Sequence, residues 1–275
     1  MVAGEIEVDL AGEVVVITGG AGVLCGTMAE ALAARGAAVA VLDIDAEAAE
    51  ARAGSIRRAG GSALAVRASV LERADLERGA KLLKESLGHP TVLVNGAGGN
   101  RPEATTGPDR ALFDLPADAV RGVFDLNFLG TFLASQVFGR MMVEGDGGSI
   151  INIASMAGSR PLTKIPAYSA AKAAVSNFTR WLAVHMSHNC GGKVRVNAIA
   201  PGFLLTQQNR FLLIDRETGE LTARGRQIVD HTPMGRFGEP EELLGTLLWL
   251  LSDSAKFVHG IVVPVDGGFS AYSGV

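Results

Sequence analysis

Tyr168 and Lys172 stand four residues apart in the segment Tyr168-Ser-Ala-Ala-Lys172. On a helix, residues at i and i+4 share one face, so the ammonium lies near the phenol. A nearby cation stabilises phenolate and lowers a pKa that starts near about 10. That is the chemistry of a proton donor or acceptor. Taken alone, the pair reads more simply as a surface neighbour contact. Two other residues change the balance. Ser155 ends a predicted strand, and Asn127, in Asp-Leu-Asn127-Phe-Leu-Gly, lies inside a predicted helix where an amide gains little from helix propensity.

A second constellation suits a phosphate-bearing ligand. The run Val-Val-Ile-Thr18 leads into Gly19-Gly20-Ala21-Gly22-Val23-Leu24-Cys25-Gly26. A glycine-rich turn entering a helix lets backbone amides approach a pyrophosphate at the positive helix end. Such turns also join strands to helices for steric reasons alone. Asp43 adds to the signal: it ends the second predicted strand, about 20 residues on, where a carboxylate binds ribose hydroxyls. It also repels a 2′-phosphate, which favours NAD(H) over NADP(H). The plainer role for Asp43 is a helix N-cap. A further turn, Asn95-Gly96-Ala97-Gly98-Gly99, ends the fourth strand with small residues that leave room for a cofactor.

The elements that must hold these residues alternate strictly. Strands are expected at Val14 to Thr18, Ala38 to Leu42, Ala63 to Val66, Thr91 to Asn95, Ser149 to Ala154, Val194 to Ala200 and Ile261 to Val265. Helices are expected at Met28 to Arg35, Ala46 to Ala59, Leu71 to Leu87, Ala117 to Val143, Pro166 to His188 and Glu239 to Leu251. Strict alternation implies right-handed crossovers and a parallel sheet covered on both faces. The fold class is therefore α/β, a single doubly wound Rossmann-like domain spanning residues 1–275 with a mainly parallel seven-stranded sheet. Two segments break the rhythm, Gly96 to Pro116 and Phe203 to Phe237. Long loops after strand ends are usually functional, so substrate is expected there, with 203–237 as the substrate-binding region.

Composition agrees with such a core. Of 275 residues, 48% are apolar and only 5% aromatic, the balance of buried strands covered by small-residue helices. The net charge of −4 is mild and the basic residues are dispersed, so no nucleic-acid or membrane partner is expected. Glu5, Glu7 and Asp9 near the N-terminus do not resemble a signal peptide, and no run approaches the roughly 18 apolar residues of a membrane span. Cys25 and Cys190 match no metal or redox spacing. A soluble, cytoplasmic protein is expected. His185 and His188 are three apart on a helix, but with no further ligand beside them no metal is expected.

Together these segments resemble the short-chain dehydrogenases/reductases over nearly the whole chain. The Asn-Ser-Tyr-Lys tetrad of that family maps onto Asn127, Ser155, Tyr168 and Lys172, and the thirteen-residue step from Ser155 to Tyr168 matches its spacing. Arg195-Val-Asn-Ala-Ile-Ala-Pro201-Gly202, followed by Thr206, resembles its nicotinamide-side segment, and Val265-Asp266-Gly267-Gly268 its closing motif. The resemblance implies hydride exchange between nicotinamide and a carbinol carbon. Tyr168 would move the proton, Ser155 would bond the same oxygen, and Lys172 would lower the Tyr168 pKa and hold the ribose. Asn127 would hold a water linking Lys172 to solvent. Gly19, Ala21, Gly22, Val23, Leu24, Asp43, Asn95, Ala97, Gly98, Pro201, Gly202, Leu204 and Thr206 would line the cofactor. Two departures stand out. The later glycines of the first turn sit at Gly22 and Gly26 rather than at the positions of Val23 and Cys25. Ser69 replaces an Asp that commonly contacts adenine, and a hydroxyl there makes a weaker contact.

Within the family the chain resembles the fructuronate reductases, or D-mannonate oxidoreductases. The segments that carry this are Asn95 to Asn100, Phe124 to Gly130, Arg160 to Tyr168 and Pro201 to Arg210. A sugar acid needs a cation and several amides. Arg101, Arg160, Lys164 and Arg210 are candidate cations, with Lys164 and Arg210 favoured. Asn100, Gln207, Gln208 and Asn209 are candidate amides. Another sugar-acid or polyol dehydrogenase, such as a gluconate 5-dehydrogenase, stays open. So does a 3-oxoacyl-carrier-protein reductase, which Asp43 disfavours, and an NAD-sensing protein without catalysis, which the tetrad disfavours. Family resemblance also implies a homotetramer.

Overall fold

The structure is a computed structural model that describes residues 8–206 and 209–274. Glu5, Glu7, Gln207 and Gln208 lie outside the described residues. Seven strands form one sheet: β1 (Val14–Thr18), β2 (Ala38–Asp43), β3 (Ser62–Arg67), β4 (Val92–Asn95), β5 (Gly148–Ile153), β6 (Val194–Pro201) and β7 (Val262–Val265). Their order is β3-β2-β1-β4-β5-β6-β7, and every neighbouring pair is parallel. The order reverses between β1 and β4. Ligands of open α/β sheets bind in the crevice at such a switch point, beyond the carboxyl ends of the strands.

Nine helices are described: α1 (Val23–Ala33), α2 (Ala46–Arg58), α3 (Arg73–Ser86), α4 (Ala117–Phe124), α5 (Gly130–Glu144), α6 (Pro166–Asn189), α7 (Arg210–Leu213), α8 (Ala223–Asp230) and α9 (Leu244–Leu251). The period-two pleat of β1 divides its side chains between two cores. Val15 and Ile17 pack with Met28, Leu32, Ala53 and Leu247 under α1, α2 and α9. Val14 and Val16 pack with Leu76, Leu83, Phe138 and Met186 under α3, α5 and α6. The central strands are thus buried on both faces, as their runs of Val, Ile and Leu require, while the edge strands β3 and β7 stay partly open.

The expected elements are all present, with three corrections. Helix α1 starts at Val23 rather than Met28, because Gly22, extended at φ −64° and ψ 164°, already serves as its N-cap. The single helix expected over Ala117 to Val143 is broken by a π-helical turn, Asp125–Leu129, between α4 and α5. The two long loops are partly ordered: single 3₁₀ turns lie at Pro102–Ala104 and Leu112–Asp114, while α7 and α8 occupy the second loop. Among the described residues no helix is long and apolar enough to cross a membrane, and no group of three or more His, Cys, Asp and Glu could hold a metal ion.

Candidate active site

A cleft of about 890 Å³ opens along the carboxyl edge of β1, β2, β4 and β6. It lies toward the upper end of the roughly 300–1,000 Å³ typical of small-molecule sites. Gly19, Gly22, Val23, Leu24, Asp43, Ser69, Ala97, Gly98, Asn100, Tyr168, Gly202, Leu204 and Thr206 all contribute to its wall, as expected, and so does Arg101.

The glycine turn works despite its shifted spacing. Gly19 has φ +65°, and a Cβ there would meet the Ala97 backbone at 2.8 Å, so only glycine lets β1 and the β4 turn approach so closely. The Thr18 hydroxyl accepts from the amides of Gly96 (3.1 Å) and Ala97 (3.2 Å), tying the two turns together. Cys25, buried at the family's glycine position, is accommodated because Gly96 has no side chain: a Cβ on it would overlap the Cys25 sulfur. Burial pushes the Cys25 thiol up to about 12, so it is inert filling. The amides of Ala21 and Gly22 are already used, by the Asp43 carboxylate (3.1 Å) and the Gly19 carbonyl (3.1 Å). Val23 and Leu24, at the unpaired amino end of α1, are left to face an anion.

Asp43 is not a helix cap. Asp45 caps α2, accepting from Glu47 and Ala48, while Asp43 remains half-buried in the cleft wall with its oxygens on the amides of Ala21 and Asp45. Ser69 lines the cleft with its hydroxyl accepting from the Leu71 amide at 3.3 Å, which leaves its proton free to be donated.

Three of the four tetrad residues meet around Tyr168, which lines the cleft. Ser155 caps a 3₁₀ turn, Met156–Gly158, with its hydroxyl accepting from the Ala157 amide at 3.2 Å. That turn sits on α6 because Gly158 has no side chain; a Cβ would come within 2.7 Å of the Lys172 carbonyl. The docking brings the Ser155 hydroxyl close enough to the Tyr168 phenol to act on its ionisation. Lys172 is buried, donates to the Ile153 carbonyl at 2.7 Å, and holds its Nζ 5.7 Å from the Tyr168 ring centroid. Burial raises the Tyr168 phenol above its ordinary value, opposed by the Ser155 hydroxyl beside it. Desolvation sets the net direction for the phenol, and it also pushes Lys172 itself down to about 8.

Asn127 takes a different position. It is fully buried at the centre of the π turn. There the Gly130 amide reaches back five residues to Asp125, and the displaced carbonyl of Val123 accepts from Asn127 Nδ2 at 2.8 Å. The same amide clamps Gly99, donating to its carbonyl at 2.7 Å while Oδ1 accepts from its N–H at 3.1 Å. Both Nδ2 donors are used, so a water here could meet the Asn127 side chain only by donating to Oδ1. The clamp places the β4 turn beside Lys172: a Cβ on Gly98 would fall 2.5 Å from Asn127 Oδ1 and 3.3 Å from Lys172 Nζ.

Other expectations do not reach the cleft. Asn95 is buried, donating to Ser135 (3.0 Å) and Asn152 (2.8 Å), and so ties β4 to α5 and β5 rather than lining a cofactor. Ala21 is turned toward Asp43, and Pro201 is buried at the end of β6; neither is in the wall. Lys164, with φ +75°, lines a separate hollow with Leu112 and Ala157. Arg210 lines a hollow with Ile214 and Asp215 at α7. Asn209 does line the cleft, but its side chain staples its own loop, with Nδ2 on the Leu204 carbonyl and Oδ1 on the Thr206 amide, both at 2.8 Å. Arg160 lies with Arg224 and His231 in a neighbouring hollow that shares only Phe203 with the cleft. Sequence reasoning missed Gly158, and it read Gly96 only as room for a cofactor and Thr18 only as the end of a strand. Only the Gly96 signal, a glycine opposite an intrusive Cys25, was in principle visible.

A family profile described as enoyl-(acyl carrier protein) reductase matches residues 22–270. An uncharacterized oxidoreductase, UxuB, of Bacillus subtilis (strain 168) is 51% identical over 276 residues, covering 97% of this chain and 98% of its own. The 5-keto-D-gluconate 5-reductase of Escherichia coli (strain K12) is 33% identical over 261 residues, covering 94% of this chain and 96% of its own. A solved structure from Haemophilus influenzae, named as a candidate D-mannonate oxidoreductase with bound NAD, superposes with a TM-score of 0.92 at 48% identity, covering 98% of this chain and 100% of that one. With the alternating parallel sheet and the Ser155–Tyr168–Lys172 group at its carboxyl edge, these likenesses identify the chain as a member of the short-chain dehydrogenase/reductase family of oxidoreductases.

Proposed function

We propose that the protein is an NAD(H)-dependent oxidoreductase that interconverts D-mannonate and D-fructuronate. The observation that carries the reaction type is that Tyr168, with Ser155 and Lys172 beside it, lines the same cleft as Asp43. The substrate is supported by the Haemophilus influenzae neighbour, and the sugar-acid class by the 5-keto-D-gluconate reductase as well.

The cleft fits a dinucleotide: glycines where a Cβ would intrude, unpaired amides at Val23 and Leu24, and a carboxylate at the end of β2. Asp43 would hold the ribose hydroxyls, Ser69 the adenine, and Gly202, Leu204 and Thr206 the nicotinamide end. When bound, the nicotinamide supplies or accepts the hydride at the carbinol carbon. Tyr168 holds its proton, because burial keeps the phenol neutral, and gives it to the carbonyl oxygen during reduction. Ser155, beside Tyr168, stabilises charge on that same oxygen. The Lys172 ammonium stabilises the phenolate left behind, and the Asn127 clamp on Gly99 keeps the β4 turn against it. We propose a homotetramer, supported by Trp181 and Val184 standing exposed on α6.

Steady-state rates with NADH and NADPH, on fructuronate and 5-ketogluconate, test this. The expected result is NADH preference with fructuronate favoured; equal rates on the two keto acids overturn the substrate, and NADPH preference overturns the role of Asp43. Tyr168→Phe should lower kcat by several orders of magnitude while leaving NADH affinity nearly unchanged.

A further inference from the structure

The cleft wall carries one acid and one base. Asp43 closes β2; Arg101 stands in the loop after β4, in the same cavity as Ile165, Tyr168 and Phe203. No ion pair or guanidinium hydrogen bond of Arg101 is found among the described residues. Its backbone is nevertheless fixed. The Arg101 carbonyl accepts from Ala104 N (3.1 Å) and Thr105 Oγ1 (2.8 Å), and two residues earlier Gly99 is bonded both ways to Asn127. The side chain crosses α4 where Gly122 leaves room: a Cβ there would lie 3.0 Å from Arg101 Nη1 and 3.5 Å from Cζ. An exposed arginine is ordinarily a solvated one. Arg101 differs in having an anchored backbone, a guanidinium seated over Gly122 and a place in the cavity of the proton donor.

We propose that Arg101 binds the substrate's carboxylate, and so sets a preference for a sugar acid over the corresponding neutral ketose. A planar guanidinium offers two parallel N–H donors that match the two carboxylate oxygens. The cleft presents no other Lys or Arg among its described lining residues. The unpaired amides of α1 already provide for the pyrophosphate at the opposite side of the β4 turn. The inference rests on the sugar-acid reading of the active site.

Fructuronate and D-fructose are the same 2-ketone, differing at the far end in a carboxylate against a hydroxymethyl group. Arg101→Met should lower kcat/KM for fructuronate about 100-fold, mainly through KM, the scale of a lost charge-assisted hydrogen-bonded pair. Fructose reduction should change less than about twofold, and NADH affinity, read by fluorescence titration, should stay constant. Arg101→Lys should recover part of the loss, since it keeps charge but not the fork. Equal losses on both ketones, or weakened NADH binding, would assign Arg101 to the cofactor or to the loop and overturn the proposal. So would a selective loss in Arg224→Met with none in Arg101→Met. If the wild-type enzyme prefers another sugar acid, the D-mannonate assignment fails and Arg101 is judged on that acid. If it reduces fructose as well as every sugar acid, reading and anchor fall together.

Discussion

Lys172 is where function and stability pull against each other, and Lys172→Met should show it. The ammonium is buried and its pKa is pushed down from 10.5 to about 8. That depression corresponds to about 3 kcal/mol of destabilisation while the group is charged in both states. The sign follows from proton counts. Between the folded value near 8 and the unfolded value of 10.5 the unfolded chain binds more protons, so stability rises with pH in that window and the penalty is fully present below it. Integrating from about pH 7 to about pH 9 gives a gain of about 1 kcal/mol from this residue. Cys25 works in the opposite sense: its thiol is raised from 9.0 to about 12, so stability drains away once the unfolded thiol ionises above about pH 9.

The methionine variant separates the two. It removes the buried charge but leaves the Ile153 carbonyl without its 2.7 Å partner, a loss of about 1–3 kcal/mol. Near pH 7 the two changes nearly cancel or leave the variant slightly more stable. Toward pH 9 the balance shifts against the variant by about 1 kcal/mol, because the wild type has by then shed part of its penalty. Urea midpoints at fixed protein concentration, taken for both proteins across this range, read the difference directly. A wild-type-minus-variant difference that stays flat from pH 7 to pH 9 would refute the claim that Lys172 is held as a strained, desolvated cation. The variant should also lose nearly all turnover.

Three further outcomes follow from contacts in the cleft. Asp43→Ser should raise kcat/KM with NADPH by at least about tenfold relative to NADH, because a repulsive carboxylate is removed; an unchanged ratio in coupled assays would show that Asp43 does not face the ribose. Gly98→Ala should lower kcat severely, since its methyl would lie 2.5 Å from Asn127 Oδ1 and force the clamp open; wild-type rates would mean the clamp is dispensable. Lys164→Gly should leave kinetics on sugar acids unchanged and keep or slightly raise the melting temperature, because Lys164 sits at φ +75° outside the cleft; a selective rise in KM for acids would restore it as a substrate cation.

What sequence made legible, and what it hid, divides along the range of the interactions. Tyr168 and Lys172 could be paired because helical periodicity is local, and β1 could be bounded because a β-branched run meeting glycines needs only its own residues to be read. Ser155 could be placed at a strand end for the same reason. The packing that turns these residues into one group is non-local. The Ser155 turn reaches Tyr168 only because Gly158 lets it rest on the Lys172 backbone, a contact across fourteen positions that no periodicity encodes. Asn95 looked like a cofactor residue from its place in the β4 turn, yet its side chain alternates to the other side and bonds Ser135, forty positions away. The π turn at Asn127 was invisible because its cause is a side chain replacing a backbone partner, not a propensity. The standing of the four candidate cations is hidden in the same way: Lys164 and Arg210 line hollows of their own, whereas Arg101 lines the cleft and passes over Gly122 on another helix. In this fold the reacting group is written locally, and the residue that decides what it reacts with is written in the contacts between loops.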